Sequence, residues 1–123
     1  MPFINTTTNV SMSRKQKDLI DAGLREAISI IPRERAELLM VNFNDASSMA
    51  LAGDKIEPCA MVEIKLLARI AAETDNSLLE KLMEATTEVI SRVLLIKPER
   101  IYVAFIGSPM WGAAGVNIEN GLL

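Results

Sequence analysis

Apolar and polar residues follow two different periods along this chain, and the two periods recur in the same order in each half. Phe3 to Val10 is short, threonine-rich and β-prone, which predicts a strand. Ser13 then stands three residues before Gln16, the spacing of a helix-opening capping box. Leu19, Ile20, Gly23, Leu24, Ala27, Ile28 and Ile31 follow at helical intervals and form one apolar stripe. Pro32-Arg33-Glu34-Arg35 ends that helix, and Leu38 to Phe43 predicts a second strand.

The second half repeats the plan. Ala60 to Leu67 is a dense apolar run in which Glu63 and Lys65 share a strand face with Met61, so their charged ends require water or a partner. Ser77 with Glu80 offers another capping box, and Leu78, Leu79, Leu82, Met83, Val89, Ile90, Val93 and Leu94 draw a second helical stripe. Lys97-Pro98-Glu99-Arg100 stops this helix before a closing strand, Ile101 to Ile106. Two tandem βαβ units, about residues 2–45 and 58–107, joined by right-handed crossovers, predict an α/β fold: a four-stranded sheet with both helices on one face. The other face is expected to remain apolar at many positions and to need a partner. Between the halves, residues 47–54 read as a short edge piece and turn. The tail from Gly107 holds four glycines and the only tryptophan, Trp111; it reads either as a ribbon of about residues 108–123 at a subunit interface or as a floppy end.

Composition narrows the chemistry. A length of 123 residues suits one domain spanning 1–123, and a half-apolar composition suits an oligomer that covers part of its sheet. The net charge of -3, with both signs mixed along the chain, provides no basic footprint for nucleic acid. No run approaches a membrane span, and the start lacks the basic and apolar regions of a signal peptide, so a cytoplasmic location is expected. The single cysteine, Cys59, excludes an internal disulfide or a CxxC pair and reads as a buried apolar filler. With no histidine, Ser-His-Asp and Cys-His arrangements are excluded, as are histidine-bearing zinc sites, and no cofactor is implied. Proton transfer near neutral pH then falls to a carboxylate, a perturbed lysine, a tyrosine or the amino terminus.

Pro2 makes the last of these specific. Initiator methionine is commonly removed before a small residue, which would leave a rigid secondary amine at the head of the first strand. Apolar surroundings or a nearby cation would bring such an amine toward a neutral pKa, where it can take a proton from carbon beside a carbonyl. The same nitrogen suits covalent catalysis.

Several short segments add to this pattern: Met1-Pro2 leading a strand, Thr8-Asn9-Val10 at its end and Glu57-Pro58-Cys59-Ala60 before the third strand. Lys97-Pro98-Glu99-Arg100-Ile101-Tyr102-Val103 before the last strand and Trp111-Gly112 in the tail complete the set. In order and spacing, over nearly the whole chain, the sequence resembles the macrophage migration inhibitory factor group of the tautomerase superfamily. The resemblance implies a mixed four-stranded sheet and a homotrimer whose three sheets surround a channel, with pockets at the subunit interfaces. It implies Pro2 as catalytic base, Leu67 lining the pocket through its backbone, and Tyr102 entering from the adjacent subunit, unless Tyr102 is only an interface aromatic.

Three departures qualify the carry-over. Enzymes of the family usually place a substrate-holding lysine just after the first helix, where this chain reads Pro32-Arg33-Glu34-Arg35. The simplest register puts Glu34 there, repelling an anion; a shift of one residue brings in Arg35, the preferred candidate, or Arg33, and both arginines otherwise read as solvated loop residues. Ala104 replaces an asparagine common two residues beyond the strand tyrosine. Cys59-Ala60-Met61-Val62 lacks the second thiol of the family cytokine's CxxC. The implied function is a cofactor-independent keto–enol tautomerase of small phenylpyruvate-like acids, with Pro2 as general base. The alternatives are a superfamily isomerase or hydratase acting on another unsaturated acid, and a non-enzymatic, cytokine-like or regulatory protein. Leaderless export, claimed for the cytokine, is the exception to the cytoplasmic expectation.

Overall fold

The amphipathic segments of the sequence fold onto one side of a single main sheet. The computed structural model describes residues 1–118. Strand β1 (Phe3–Thr8) leads through helix α1 (Arg14–Ile28) to β2 (Met40–Asn44). Strand β3 (Ala60–Leu67), helices α2 (Ala68–Glu73) and α3 (Asn76–Leu94) and strand β4 (Ile101–Ser108) form the second unit. A two-residue pair, β5 (Gly112–Ala113) and β6 (Val116–Asn117), follows. The sheet order is β2-β1-β3-β4. β1 runs parallel to β2, β3 runs parallel to β4, and β1 and β3 meet antiparallel at the centre. This is the expected α/β arrangement with a mixed four-stranded sheet.

Strand alternation decides which face is covered. Ile4, Thr6 and Thr8 of β1 and Ala60, Val62, Ile64 and Leu66 of β3 are buried, whereas their alternate neighbours are only partly so. Ile20, Leu24 and Ile28 of α1 and Leu82, Ile90 and Leu94 of α3 close over that face in one core cluster. Each buried leucine or isoleucine contributes about 1.5–3 kcal/mol relative to an exposed one. Gly23 belongs to the stripe because the helices cross there: a Cβ at this position would stand 2.8 Å from both methyl carbons of Val89.

The α1 cap forms as its spacing predicts. Gln16 N–H donates to Ser13 Oγ (3.1 Å) and Ser13 N–H donates to Gln16 Oε1 (2.8 Å). The Ser77–Glu80 box does not form. The N-cap of α3 is Asp75, whose carbonyl accepts from the N–H groups of Leu78 and Leu79 (3.0 and 3.2 Å), and Ser77 lies inside the first turn. Thr74-Asp75-Asn76-Ser77 contains four capping-prone residues in a row, so spacing alone does not choose among them. Helix α2 is an addition to the expected plan, built from the alanine-rich run Ala68-Arg69-Ile70-Ala71-Ala72-Glu73. Strand ends also shift, with β2 running on to Asn44 and β4 to Ser108. β1 stops at Thr8, where the Thr8 hydroxyl accepts from Val10 N–H (3.2 Å), and Leu38 lies in a 3₁₀ turn that delays β2 to Met40.

The uncovered face is apolar at many positions, as expected, but its centre is polar. At its centre Asn5 Oδ1 accepts from Asn42 Nδ2 (2.8 Å) and Asn44 Nδ2 (3.0 Å), and Asn5 Nδ2 donates to Glu63 Oε1 (3.2 Å). This polar ladder crosses β2, β1 and β3, and apolar side chains flank it: Met40, Phe3, Met61, Tyr102 and Ile106. The reason is that β2 and β1 carry asparagines at the positions whose neighbours face the helices. Their alternate, core-facing residues supplied the apolar character seen along the sequence.

Candidate active site at the amino-terminal end of the sheet

Pro2 is buried at the head of β1. Its carbonyl accepts from Met40 N–H (3.1 Å), which extends the β1–β2 pairing by one residue and fixes the start of the chain to the sheet. Beside it opens a cavity of about 600 Å³ lined by Met1, Pro2, Phe3, Leu38, Met40, Lys65, Trp111, Gly112, Ala113 and Ala114. The walls are apolar apart from backbone groups, the Met1 ammonium and one charged side chain, Lys65. The antiparallel register sets Lys65 opposite Phe3, and its Nζ lies 5.8 Å from the centroid of the Phe3 ring, a cation–π contact.

The tail supplies the outer wall. Gly112 pairs with Asn117 and Ala113 with Val116, and the two loop residues, Ala114 and Gly115, both have positive φ (52° and 77°). Positive φ at both loop positions matches the twist of a tight hairpin. Ile118 N–H donates to Trp111 carbonyl (2.9 Å), and Ile118 is buried. Up to Ile118 the expected ribbon is therefore a hairpin against its own chain's amino terminus; residues 119–123 of it lie outside the described residues.

Glu34 is held against the amino terminus without lining the cavity. Its side chain has 0% exposure, and Oε2 accepts from the Met1 ammonium at 2.7 Å. Oε1 has no hydrogen-bond partner among the described residues. A carboxylate taken out of water is costly unless paired, so this contact ties the segment after α1 to the start of the chain. The arginines on either side point elsewhere. Arg33 pairs with Glu73 and Arg35 with Glu37 (2.7 Å), all four of these side chains being about half exposed or more. Glu37 has a lowered pKa, caused first by its own backbone N–H and then by the Arg35 guanidinium. Neither arginine lines the cavity, because residues 33–35 place their central side chain inward and the outer two outward.

Leu67 sits at the same end of the sheet as Pro2, buried, as the N-cap residue of α2, but it is not part of the cavity wall. Tyr102 is 55% exposed and pairs with Met61, four residues before Lys65 on β3. That offset is about 13 Å along the strand. Within one chain Tyr102 and Pro2 therefore belong to opposite ends of the sheet. Tyr102 borders a smaller cavity, about 100 Å³, with Cys59, Met61 and Arg100.

That opposite end holds most of the motif residues, and they act on backbone. Asn9 Nδ2 donates to the Glu57 carbonyl (3.2 Å) and Asn9 Oδ1 accepts from Cys59 N–H (2.9 Å). The Thr8 hydroxyl donates to the Cys59 carbonyl (2.7 Å). Arg100 donates through Nε to the Pro58 carbonyl (2.9 Å) and through Nη2 to that of Glu57 (3.0 Å). Asp54 Oδ1 accepts from the N–H groups of Ile56 and Glu57 (2.9 and 3.1 Å), and these bonds, that of Glu57 first, hold its carboxyl below the ordinary aspartate value. Cys59 is buried and free, as a filler would be.

Two groups at the amino-terminal end carry more weight than the sequence assigned them. Lys65 is visible as a charge inside an apolar strand, but its place opposite Phe3 follows only from the antiparallel β1–β3 register. The inward turn of Glu34 follows only from the chain reversal after α1. No histidine, cysteine or acidic cluster suited to a metal occurs among the described residues, and none of their helices is long and apolar enough to cross a membrane.

The family model described as Macrophage migration inhibitory factor (MIF) matches residues 1–117. No curated protein sequence matches. Among solved structures, Leishmania major MIF2 superposes with a TM-score of 0.84 at 23% identity, covering 95% of this chain and 97% of that one. The macrophage migration inhibitory factor of Toxoplasma gondii gives 0.81 at 18% identity, covering 94% of this chain and 98% of its own. A fused 4-OT wild-type symmetric trimer gives 0.82 at 16% identity, covering 98% and 99%. At these identities the likeness establishes the fold.

Proposed function

The chain belongs to the macrophage migration inhibitory factor family, and from that premise we propose that it is a cofactor-independent keto–enol tautomerase of small phenylpyruvate-like acids. The observation that carries this reading is the buried Pro2 at the head of β1 beside an apolar cavity with one cationic side chain. With Met1 removed, the Pro2 nitrogen is a secondary amine with a free lone pair. It takes the proton from the carbon beside the substrate carbonyl, and the C–H electron pair moves to form the enolate. The conjugate acid then returns a proton to the enolate oxygen, which completes the tautomerisation. Lys65 receives the substrate carboxylate in place of a lysine after α1. Arg35 and Arg33, held by Glu37 and Glu73, are second candidates for that role.

Tyr102 and the Leu67 backbone join the site in a homotrimer, Tyr102 coming from the adjacent copy, because its own chain holds it at the far end of the sheet. Light scattering of the protein in dilute solution reads this directly, and a monomer there removes Tyr102 from the site. Glu34, buried where an anchoring lysine is usual, favours a second reading on the same nitrogen: isomerisation or hydration of another unsaturated acid.

The test is the rate of phenylpyruvate tautomerisation, followed by ultraviolet absorbance, for mass-verified protein lacking Met1 beside its Pro2→Ala variant. The expected loss is at least ten-fold, about 1.4 kcal/mol of transition-state stabilisation. A parent protein no faster than buffer refutes the tautomerase reading.

A further inference from the structure

Removal of Met1 has a second consequence, and it falls on Glu34. With Met1 present, the only hydrogen-bond partner of the Glu34 carboxylate among the described residues is the Met1 ammonium, at 2.7 Å, and the side chain has no exposure to water. Loss of Met1 takes that partner away and leaves a buried carboxylate with neither oxygen bonded, since Oε1 already lacks a partner. The new amino terminus is close at hand. Three covalent bonds separate the Met1 and Pro2 nitrogens, a span of at most about 3.7 Å. The Pro2 nitrogen therefore lies within about 6.5 Å of Glu34 Oε2 before any adjustment, at the edge of the roughly 4–6 Å range in which an opposite charge favours the ionised form of an amine.

We propose that Glu34 is the counter-ion of the mature amino terminus: its carboxylate holds the Pro2 nitrogen protonated, so that Pro2 becomes a base only at a higher pH than an amine in this cavity would otherwise require. The inference rests on Pro2 being the reacting group and adds the residue that sets its protonation. Among the described residues, few charged groups face the amino terminus. From the segment after α1 comes Glu34; from β3 comes Lys65, which acts in the opposite sense by favouring the neutral amine. Leu38, Met40 and the hairpin residues bring no charge, and Arg33 and Arg35 point outward to Glu73 and Glu37. Lys65 stands on a solvent-accessible cavity wall with its ammonium drawn to the Phe3 ring, whereas Glu34 is wholly buried. Charges screened by water interact weakly and buried ones strongly, so the carboxylate dominates.

The chemistry agrees with the proposed reaction. Proton abstraction by Pro2 creates an ammonium, and a fixed carboxylate beside it stabilises that product. The same carboxylate disfavours a second anion nearby, which confines the substrate carboxylate to the Lys65 side of the cavity.

The experiment is a direct titration of the Pro2 nitrogen by NMR, with ¹⁵N-labelled proline, in protein shown by intact mass to lack Met1. Parent, Glu34→Gln and Lys65→Gln are compared, each also assayed for its pH–rate profile. Glu34→Gln is expected to lower the Pro2 pKa by about one unit or more and to move the rising limb of the rate profile down by the same amount. Lys65→Gln is expected to raise it. An unchanged or raised Pro2 pKa in Glu34→Gln overturns the proposal, as does a purified chain that retains Met1. If Glu34→Gln does not fold, Glu34→Asp provides the reading: withdrawing the carboxylate by one bond must lower the Pro2 pKa less, but in the same direction. The NMR titration needs no turnover. A lowered pKa in an inactive protein refutes the tautomerase reading alone, and an active parent with no shift in Glu34→Gln refutes the Glu34 proposal alone.

Discussion

The two ends of the sheet use polar residues in opposite ways. At the end where β1 stops and β3 begins, Thr8, Asn9, Asp54 and Arg100 direct their side chains onto backbone groups of residues 56–59. Every one of those contacts satisfies a peptide group in a segment without regular structure, which is what pins an irregular loop to a sheet. At the other end, Pro2, Glu34 and Lys65 surround the chain's start with little such cross-bracing: a buried carboxylate oxygen is unpartnered and a lysine faces a cavity. Satisfied polar groups make an end rigid. Incompletely satisfied ones, around a cavity, leave chemistry available.

This contrast can be broken from either side. The largest effect on stability is expected from Asn9→Ala, which removes two side chain–backbone bonds and strands Cys59 N–H, while the Glu57 carbonyl keeps its bond from Arg100. A loss of about 2 kcal/mol is expected from those two contacts, read as a lower denaturant midpoint with an unchanged slope. Tautomerase kcat should stay within about two-fold once the protein is folded, a difference of about 0.4 kcal/mol. A large fall in kcat at full folding would show that the braced end also shapes the site.

Lys65→Gln makes the reverse comparison. Among the described residues Lys65 forms no ion pair with a carboxylate, so the folded state should barely notice the change, while KM for phenylpyruvate rises about ten-fold, equivalent to about 1.4 kcal/mol of carboxylate binding. An unaltered KM returns the anchoring role to Arg35 or Arg33, whose substitution then becomes the decisive assay.

The smallest effect concerns acid. Asp54 and Asp45 both lie at the braced end with lowered pKa values, Asp54 chiefly through Glu57 and Ile56 N–H and Asp45 chiefly through Met12 N–H. A carboxyl whose folded pKa lies below its unfolded one contributes stability that is fully present above the unfolded value. That stability is lost as pH falls through the folded value, so the loss belongs below about pH 4. Thermal midpoints measured across that range should fall less steeply for Asp54→Asn than for the parent. Parallel curves would mean that the bonds to residues 56 and 57 exist equally in the unfolded chain.

Much of the architecture was legible from periodicity. The α1 stripe, its Ser13–Gln16 cap and the span of β3 all appear where the pattern places them, because a helix or strand packed on a core must repeat its apolar residues at its own period. The misplacements have local causes. Four capping-prone residues in succession hid the start of α3, and α2 is too short to show a stripe. The polar centre of the uncovered sheet face was hidden because the core-facing residues of β1 and β2 outweigh Asn5, Asn42 and Asn44 in a linear reading.

The candidate site divides along the same line. The sequence by itself determined the tandem βαβ plan, the place of Pro2 at the head of a strand and the absence of histidine chemistry, since each depends on residue type and short-range spacing. Only the tertiary structure decided that Glu34 turns inward to the amino terminus while Arg33 and Arg35 turn out. It alone decided that Lys65 faces Phe3 and that Tyr102 lies at the far end from Pro2. The Glu34 and Lys65 contacts join residues 33 and 62 positions apart, the place of Tyr102 depends on the register between strands, and no local rule of spacing encodes either.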